Sequence, residues 1–251
     1  MLEPEALLEL AKSTALKAGK RLRESAPEGF SFSEEIPKEI KSLADIVLED
    51  VILGSLSATG LEVLSEERGL IPGTRPGNFR FIVDPLDGTF NYVKKLGPCA
   101  VSIALWEANR PVFGVVFDLV THSTYWGGRQ LGGWKDDSRI QVSEISGISR
   151  AAICTGFPVR FDFSGDEAWG RFRDRVAPFA KVRMLGSAAS SLACVADGRA
   201  EAYFEENIML WDVAAGIAII EGAGGRVRWS GKEGSSALDV QADNGHLEWK
   251  S

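Results

Sequence analysis

Apolar residues recur at helical spacing near the N-terminus: Leu7, Leu8, Ala11, Ala15, Leu16 and Ala18 follow Pro4, with Lys17, Lys20, Arg21 and Arg23 towards the end. Proline early and cations late suit a helix, so residues 3–25 are expected to form an amphipathic one. Residues 26–40 break the pattern with Pro27, Gly29 and Pro37 among Ser and Glu, and read as a mobile loop carrying Lys38 beside Lys41. A second helix is expected from Ser42 or Ala44 through Ile46, Val47, Val51, Leu53 and Leu56 towards Gly60, with Asp45 in its first turn.

The period then changes. Residues 61–65 read as a short strand ending at Glu66 and Glu67, and a Gly/Pro loop spans 69–77. The run from Arg80 to Val83 reads as a buried strand that stops at Asp84 and Pro85, followed by a helical turn over 89–94. Residues 99–106 and 112–119 are expected to be neighbouring antiparallel strands, with a third at 121–126, and the glycine-rich 127–139 is assigned to turns. Beyond Ser143 the pattern alternates: strand 151–155, helix 165–180, strand 182–185, helix 187–196, strand 200–204, helix 211–222, and closing strands at 227–229 and 238–242. This is layered α/β, with an N-terminal half at 1–145 and a C-terminal half at 146–251 in one compact unit; a single connected sandwich reads the same way.

Composition narrows the function classes. The 251 residues are 45% hydrophobic and carry 28 Lys+Arg against 35 Asp+Glu, a formal charge of −7, with no block of like charges to engage a nucleic-acid polymer. Cys99, Cys154 and Cys194 are widely spaced and odd in number, which argues against a disulfide framework or a zinc site and for a reducing compartment. The first ten residues are acidic where a secretory signal would be basic, and no apolar run approaches membrane-spanning length, so a cytoplasmic protein without a membrane partner is expected.

The candidate chemistry lies where apolar elements end. Glu66, Asp84, Asp87 and Asp212 each border such an element, and oxygen donors of this kind select Mg²⁺, Mn²⁺ or Ca²⁺ over zinc. Gly88 and Thr89 open the turn after Asp87, where free N–H groups would face an anion beside the cation, so the pattern suggests a metal-bound phosphate. His122 and His246 lie in no nucleophile-activating context, and no GxSxG occurs.

VLSEE at 63–67, VDPLDGTFNY at 83–92 and LWDVAAG at 210–216, in this order and spacing, resemble the inositol monophosphatase family of magnesium-dependent, lithium-sensitive phosphatases. TGFP at 155–158, GSAASSLACVADGRAEAYFE at 186–205 and ADNG at 242–245 are similar too, so the resemblance covers nearly the whole chain. It implies an αβαβα sandwich, a hydrolase using two or three Mg²⁺ ions and a metal-activated water, a small phosphorylated substrate, and a possible homodimer. Residue by residue it makes Glu66, Asp84, Asp87 and Asp212 metal ligands, with Leu86 lending a backbone carbonyl. Thr89, with Asp45 as its acceptor, would orient the water; Gly88 and Thr89 would hold phosphate through N–H groups.

The chain departs from the family before Asp45, where EEIPKEIKSLAD has Ser42 at a usual Thr position and a shifted lysine, leaving Lys38 or Lys41 as the candidate. For the substrate, Glu205 matches an acid that hydrogen-bonds substrate hydroxyls, and Gly186, Ser187 and Ala188 match a stretch leaving room for substrate. Phe90-Asn91-Tyr92 favours a polyol or sugar monophosphate, whereas VLSEE and SLAD look more like 3′(2′),5′-bisphosphate nucleotidases; fructose-1,6-bisphosphatase is a further family alternative. A non-catalytic phosphate binder would be expected to have lost a ligand or the Thr89/Asp45 pair, and all are retained.

Overall fold

The computed structural model describes residues 3–25, 32–36, 39–157, 161, 163–232 and 234–249, with 32–36 and 39–42 described by their backbone alone. Helix α1 (Pro4–Ser25) is followed by an antiparallel pair, β1 (Phe32–Ile36) and β2 (Glu39–Ser42), and then α2 (Leu43–Leu56). The pair replaces part of the loop expected over 26–40, because backbone pairing between short segments overrides their polar composition. Lys38 lies outside the described residues, and Lys41 is a β2 position opposite Glu34.

The first large sheet has eight strands. It takes β3 (Glu62–Ser65), β4 (Gly69–Ile71), β5 (Phe79–Asp87), and, after α3 (Thr89–Lys94), β6 (Ala100–Glu107), β7 (Arg110–Asp118), β8 (Thr124–Gly128), β9 (Gly132–Lys135) and β10 (Ser138–Ile140). Its spatial order is β10-β9-β8-β7-β6-β5-β3-β4, with β3 parallel to β5 and the other pairs antiparallel. Two expectations change here. β4 forms within the Gly/Pro loop, and the glycine-rich 127–139 supplies strand as well as turn. A Cβ on Gly133 would stand 2.8 Å from Ala223 Cβ, so glycine there lets β9 lie against Ala223.

After β11 (Ala152–Thr155), α4 (Asp166–Val176), β12 (Lys181–Arg183), α5 (Ala188–Ala196), β13 (Ala202–Met209), α6 (Leu210–Gly222), β14 (Arg226–Gly231) and β15 (Ala237–Asp243) complete the described elements. The second sheet runs β12-β11-β13-β15-β14.

Period-2 alternation sorts the layers. Phe81, Val83, Val101, Ile103, Leu105, Phe113, Val115 and Phe117 turn one sheet face to α1 and α2, joining Leu8, Ala11, Ala15, Leu48, Ile52 and Leu56. The opposite face presents Ile82, Ala104 and Val116 to Leu192, Val213, Ile217 and Ile220 of α5 and α6, and Tyr203, Val240 and Ala242 of the second sheet close that core from beyond. The second sheet's outer face packs Ile153, Ala202 and Phe204 with Val176, Phe179 and Trp249. The layers are therefore helix, sheet, helix, sheet, helix, as expected.

Candidate active site

The organising strand does not stop at Asp84. β5 runs on to Asp87 through a register shift: Asp84 stands opposite Ser102 and Asp87 opposite Ala100. A bulge accommodates Pro85, which has no N–H for a ladder, and keeps both acids on the strand while bending the backbone between them. Leu86 N donates to Asp84 Oδ1 at 2.9 Å, which fixes the bend. Gly88 then takes φ +88°, the left-handed conformation that lets the chain turn into α3.

Each remaining acid arrives on a different element. Glu66 follows β3, its N–H bonded to Val83 O at 3.1 Å, so the end of β3 is tied to β5. Asp45 sits in the first turn of α2 and Asp212 in the first turn of α6. Ser102 Oγ donates to Trp211 O at 3.3 Å, which ties the start of α6 to the strand opposite Asp84. Thr89 Oγ1 lies 2.9 Å from Asp45 Oδ1 and 3.0 Å from Leu86 O.

The charges of these groups act on one another. Burial, then the neighbouring Glu67, Asp45 and Asp87, pushes Glu66 up to about 7, although a hydrogen bond with Asp84 works the other way. Asp84 is raised well above the usual carboxylate range by burial and then by Glu66, Asp212 and Asp87. Asp212 is also raised well above it, by burial and then by Asp87 and Glu66. Asp87 rises to about 6 through burial, opposed by hydrogen bonds from Ser187 and the backbone at the start of α5. Asp84 thus has a raised proton affinity beside Glu66 and Asp212, with burial the first cause.

Among the described residues no three acids stand at the spacing of a finished metal cage. Hydrogen bonding ties Asp84 to Glu66 and Asp212, and Ser187 Oγ, Ala188 N (3.2 Å) and Ala189 N (2.8 Å) draw Asp87 onto α5. The donor set is nonetheless oxygen only, anionic and mutually repelling, which is the chemistry a hard divalent cation relieves. Asp45, Asp84 and Asp87 are buried, whereas Glu66, Thr89 and Asp212 are partly open, so the cluster has an accessible side.

The residues assigned to the organic part of a substrate divide. Glu205, on β13, is 7% exposed and receives Tyr203 OH on Oε2 at 2.9 Å; burial pushes it up to about 7, with Asp87 adding to the rise. It joins the cluster electrically, since Asp212 also senses it. Ser187 is the N-cap of α5, its hydroxyl donating to Asp87 and meeting Ser190 Oγ at 2.7 Å, while Ala188 gives its N–H to Asp87. Gly186, at φ +74°, turns the chain into that cap.

The sequence did not mark the supporting roles of Glu49, Arg68 and Asn91. Glu49, 2% exposed on α2, accepts from Ser65 Oγ at 2.6 Å and Arg68 N at 3.1 Å and pairs with Arg68 Nε at 3.0 Å, so it holds the residues on both sides of Glu66. Asn91 donates to Pro98 O (2.9 Å) and Leu185 O (2.7 Å), joining α3 to the turn before Ser187.

Comparison with known proteins identifies the family. The sequence model of the inositol monophosphatase family matches residues 3–248. The chain belongs to the inositol monophosphatase family. A Mesorhizobium japonicum protein named inositol-1-monophosphatase is 36% identical over 230 residues, covering 88% of this chain and 85% of its own. A Pasteurella multocida protein named Nus factor SuhB is 30% identical over 221 residues, covering 85% and 82%. The crystal structure of the Bartonella henselae extragenic suppressor protein suhB superposes with a TM-score of 0.84 at 32% identity, covering 96% of this chain and 95% of that one. Membership makes the chain a phosphatase by kinship, and its layered fold is that of the family. No helix among the described residues is long and apolar enough to cross a membrane.

Proposed function

We propose that this chain is a Mg²⁺-dependent phosphomonoesterase acting on a small polyol or sugar phosphate. One observation carries the reading: Glu66, Asp84, Asp87 and Asp212, from three separate segments, meet in one buried cluster in which each has a raised proton affinity, beside the bonded pair Thr89 and Asp45. These four carboxylates and the Leu86 carbonyl are the groups that would hold two or three Mg²⁺ ions. When bound, such ions neutralise phosphate charge and make a coordinated water more acidic.

The chain's own groups supply the rest. Thr89 has one hydroxyl proton and two acceptors, Asp45 Oδ1 and Leu86 O. Were the Leu86 carbonyl to hold a cation, that proton would go to Asp45, and the Thr89 oxygen could accept from a water and orient it towards phosphorus. Gly88 and Thr89, at the start of α3, would offer N–H groups to phosphate oxygens. Glu205 would receive a substrate hydroxyl, with Gly186, Ser187 and Ala188 shaping the space beside it.

The test is phosphate release with Mg²⁺ from inositol 1-phosphate, fructose 1,6-bisphosphate, several sugar monophosphates and adenosine 3′,5′-bisphosphate, with Asp87→Asn as the control. Release from a polyol or sugar monoester that disappears in the control is expected. Preference for either bisphosphate would move the substrate class, and no metal-dependent release from any ester would overturn the reading.

A further inference from the structure

Asp87 is held at both ends by segments that one buried side chain joins. Its main chain leads through Gly88 into α3, and its carboxylate accepts from Ser187 Oγ, Ala188 N and Ala189 N at the start of α5. Between those two elements stands Asn91, on α3 and 8% exposed, whose amide nitrogen lies 2.9 Å from Pro98 O and 2.7 Å from Leu185 O. Both partners are carbonyls, so the NH₂ group must face them, and both of its protons are used.

The surroundings of this amide are close-packed. A Cβ on Gly186 would stand 2.9 Å from Asn91 Nδ2 and 3.0 Å from its Oδ1, so the amide rests on the glycine that leads into the Ser187 cap. A Cβ on Gly88 would stand 3.0 Å from Pro98 O, 3.1 Å from Gly186 O and 3.3 Å from Ser187 Cβ. The turn after Asp87, the turn at Pro98 and the approach to α5 therefore touch at one point, and Asn91 supplies directional bonds there. These contacts close a ring. It runs from Asp87 through Gly88 to Asn91, across to Leu185 O, along Gly186 to Ser187, and back to the Asp87 carboxylate.

We infer that Asn91 is a positioning residue for Asp87, fixing the direction of the carboxylate by fixing the α5 cap against α3. Without the amide, two carbonyls in a close-packed place lose a donor, and the segment two residues before Ser187 is free to shift. The inference rests on the phosphatase reading, which makes Asp87 a metal ligand, and deepens it with a residue that acts through Ser187 rather than by touching the cation.

The experiment compares Asn91→Ala and Asn91→Asp with Asn244→Ala. Asn244 is a matched control: a fully buried amide after β15 that donates to Ser143 O at 3.0 Å and Ile145 O at 2.8 Å. Asn91→Asp keeps the shape of the side chain and turns oxygen onto both carbonyls. Urea unfolding gives the stability of each variant, and Mg²⁺ binding is read by calorimetry with no ester present. Both Asn91 variants are expected to raise the Mg²⁺ dissociation constant about three- to tenfold, below the roughly 10- to 100-fold of a group bonded directly to a metal ligand, because Asn91 acts one contact further out. Asn244→Ala should lose stability and leave that constant unchanged. Adding Asn91→Ala to Ser187→Ala should weaken Mg²⁺ binding by less than the product of the two separate factors, since both act on Asp87 through the same cap. Unchanged Mg²⁺ binding in both Asn91 variants, an equal loss in Asn244→Ala, or independent effects in the double variant would overturn the inference. Absence of Mg²⁺ binding to the unaltered protein would overturn it together with the phosphatase reading. The expected Mg²⁺ responses without phosphate release from any ester would instead count against the phosphatase reading alone.

Discussion

Ser187 and Asp87, one hundred positions apart, share a buried hydrogen bond in which the serine hydroxyl donates to Asp87 Oδ2. The same serine caps α5 by accepting from Ser190 N at 3.2 Å. One side chain thus terminates a helix and sets the direction of a proposed metal ligand. Ser187→Ala is expected to lower unfolding stability in urea by about 1–2 kcal/mol, the usual worth of a cap. It should also raise the Mg²⁺ concentration needed for half-maximal rate, without abolishing turnover. An unchanged Mg²⁺ requirement would separate the cap from the ligand.

The bond between Thr89 and Asp45 spans 44 positions and joins α3 to α2. In the proposed chemistry it handles a proton and binds no metal. Thr89→Ala and Asp45→Asn should therefore each reduce kcat by roughly 10²–10⁴, the range for a positioned proton-transfer group, while Mg²⁺ still raises the melting temperature. Loss of the Mg²⁺ response in either variant would show that the pair belongs to the metal site instead.

Burial of the clustered acids, with repulsion among several of them, makes stability depend on pH. Glu66 rises from 4.5 to about 7 and Asp87 from 3.8 to about 6, and Asp84 and Asp212 also rise. Between the unfolded values and these folded ones, the folded chain holds protons that the unfolded chain has released. Stability from these groups is therefore full below about pH 4 and is lost as pH rises through 6 to 7. With chelator present, the melting temperature should fall by several degrees from pH 5 to 7.5, at roughly 2–4 °C per kcal/mol for a chain of this size. Excess Mg²⁺ should flatten that fall, because a bound cation favours the charged forms. A flat profile without metal would refute the acid cluster as drawn.

Glu49 and Arg68 tie down the segment on either side of Glu66. Arg68→Met leaves the Glu49 carboxylate with the Ser65 hydroxyl and one N–H but no cation. A loss of about 1–3 kcal/mol is expected from chemical denaturation, the cost of an under-satisfied buried acceptor. Because Ser65 and Arg68 flank Glu66, turnover should fall as well; Glu49→Gln, which keeps an acceptor, should retain more activity than Glu49→Leu.

Much of the architecture was legible from spacing alone. Helical periodicity located α1, α2, α5 and α6, and alternation located β6, β7 and β11, because each buries one stripe or face in a core. The acids at element ends were legible for a related reason: strand and helix termini leave backbone groups unpaired and side chains accessible, so charged residues at successive termini stand out against apolar runs. Elements with weak patterns were missed. β1 and β2 are polar, and β4, β9 and β10 are three or four residues long within Gly-rich sequence, so their pairing depends on partners distant from the local window.

By itself the sequence determined the layered class, the family and the identity of the chemical groups, since these follow from local period and from motifs whose residues are near neighbours. Tertiary structure decided where those groups point. It carried β5 through a bulge to Asp87, turned Ser187 onto that acid and set Glu49 against Ser65 and Arg68 on either side of Glu66. Each is a contact between segments far apart in the chain, selected by packing of the whole fold, and no local pattern of hydrophobic and polar residues encodes such a meeting.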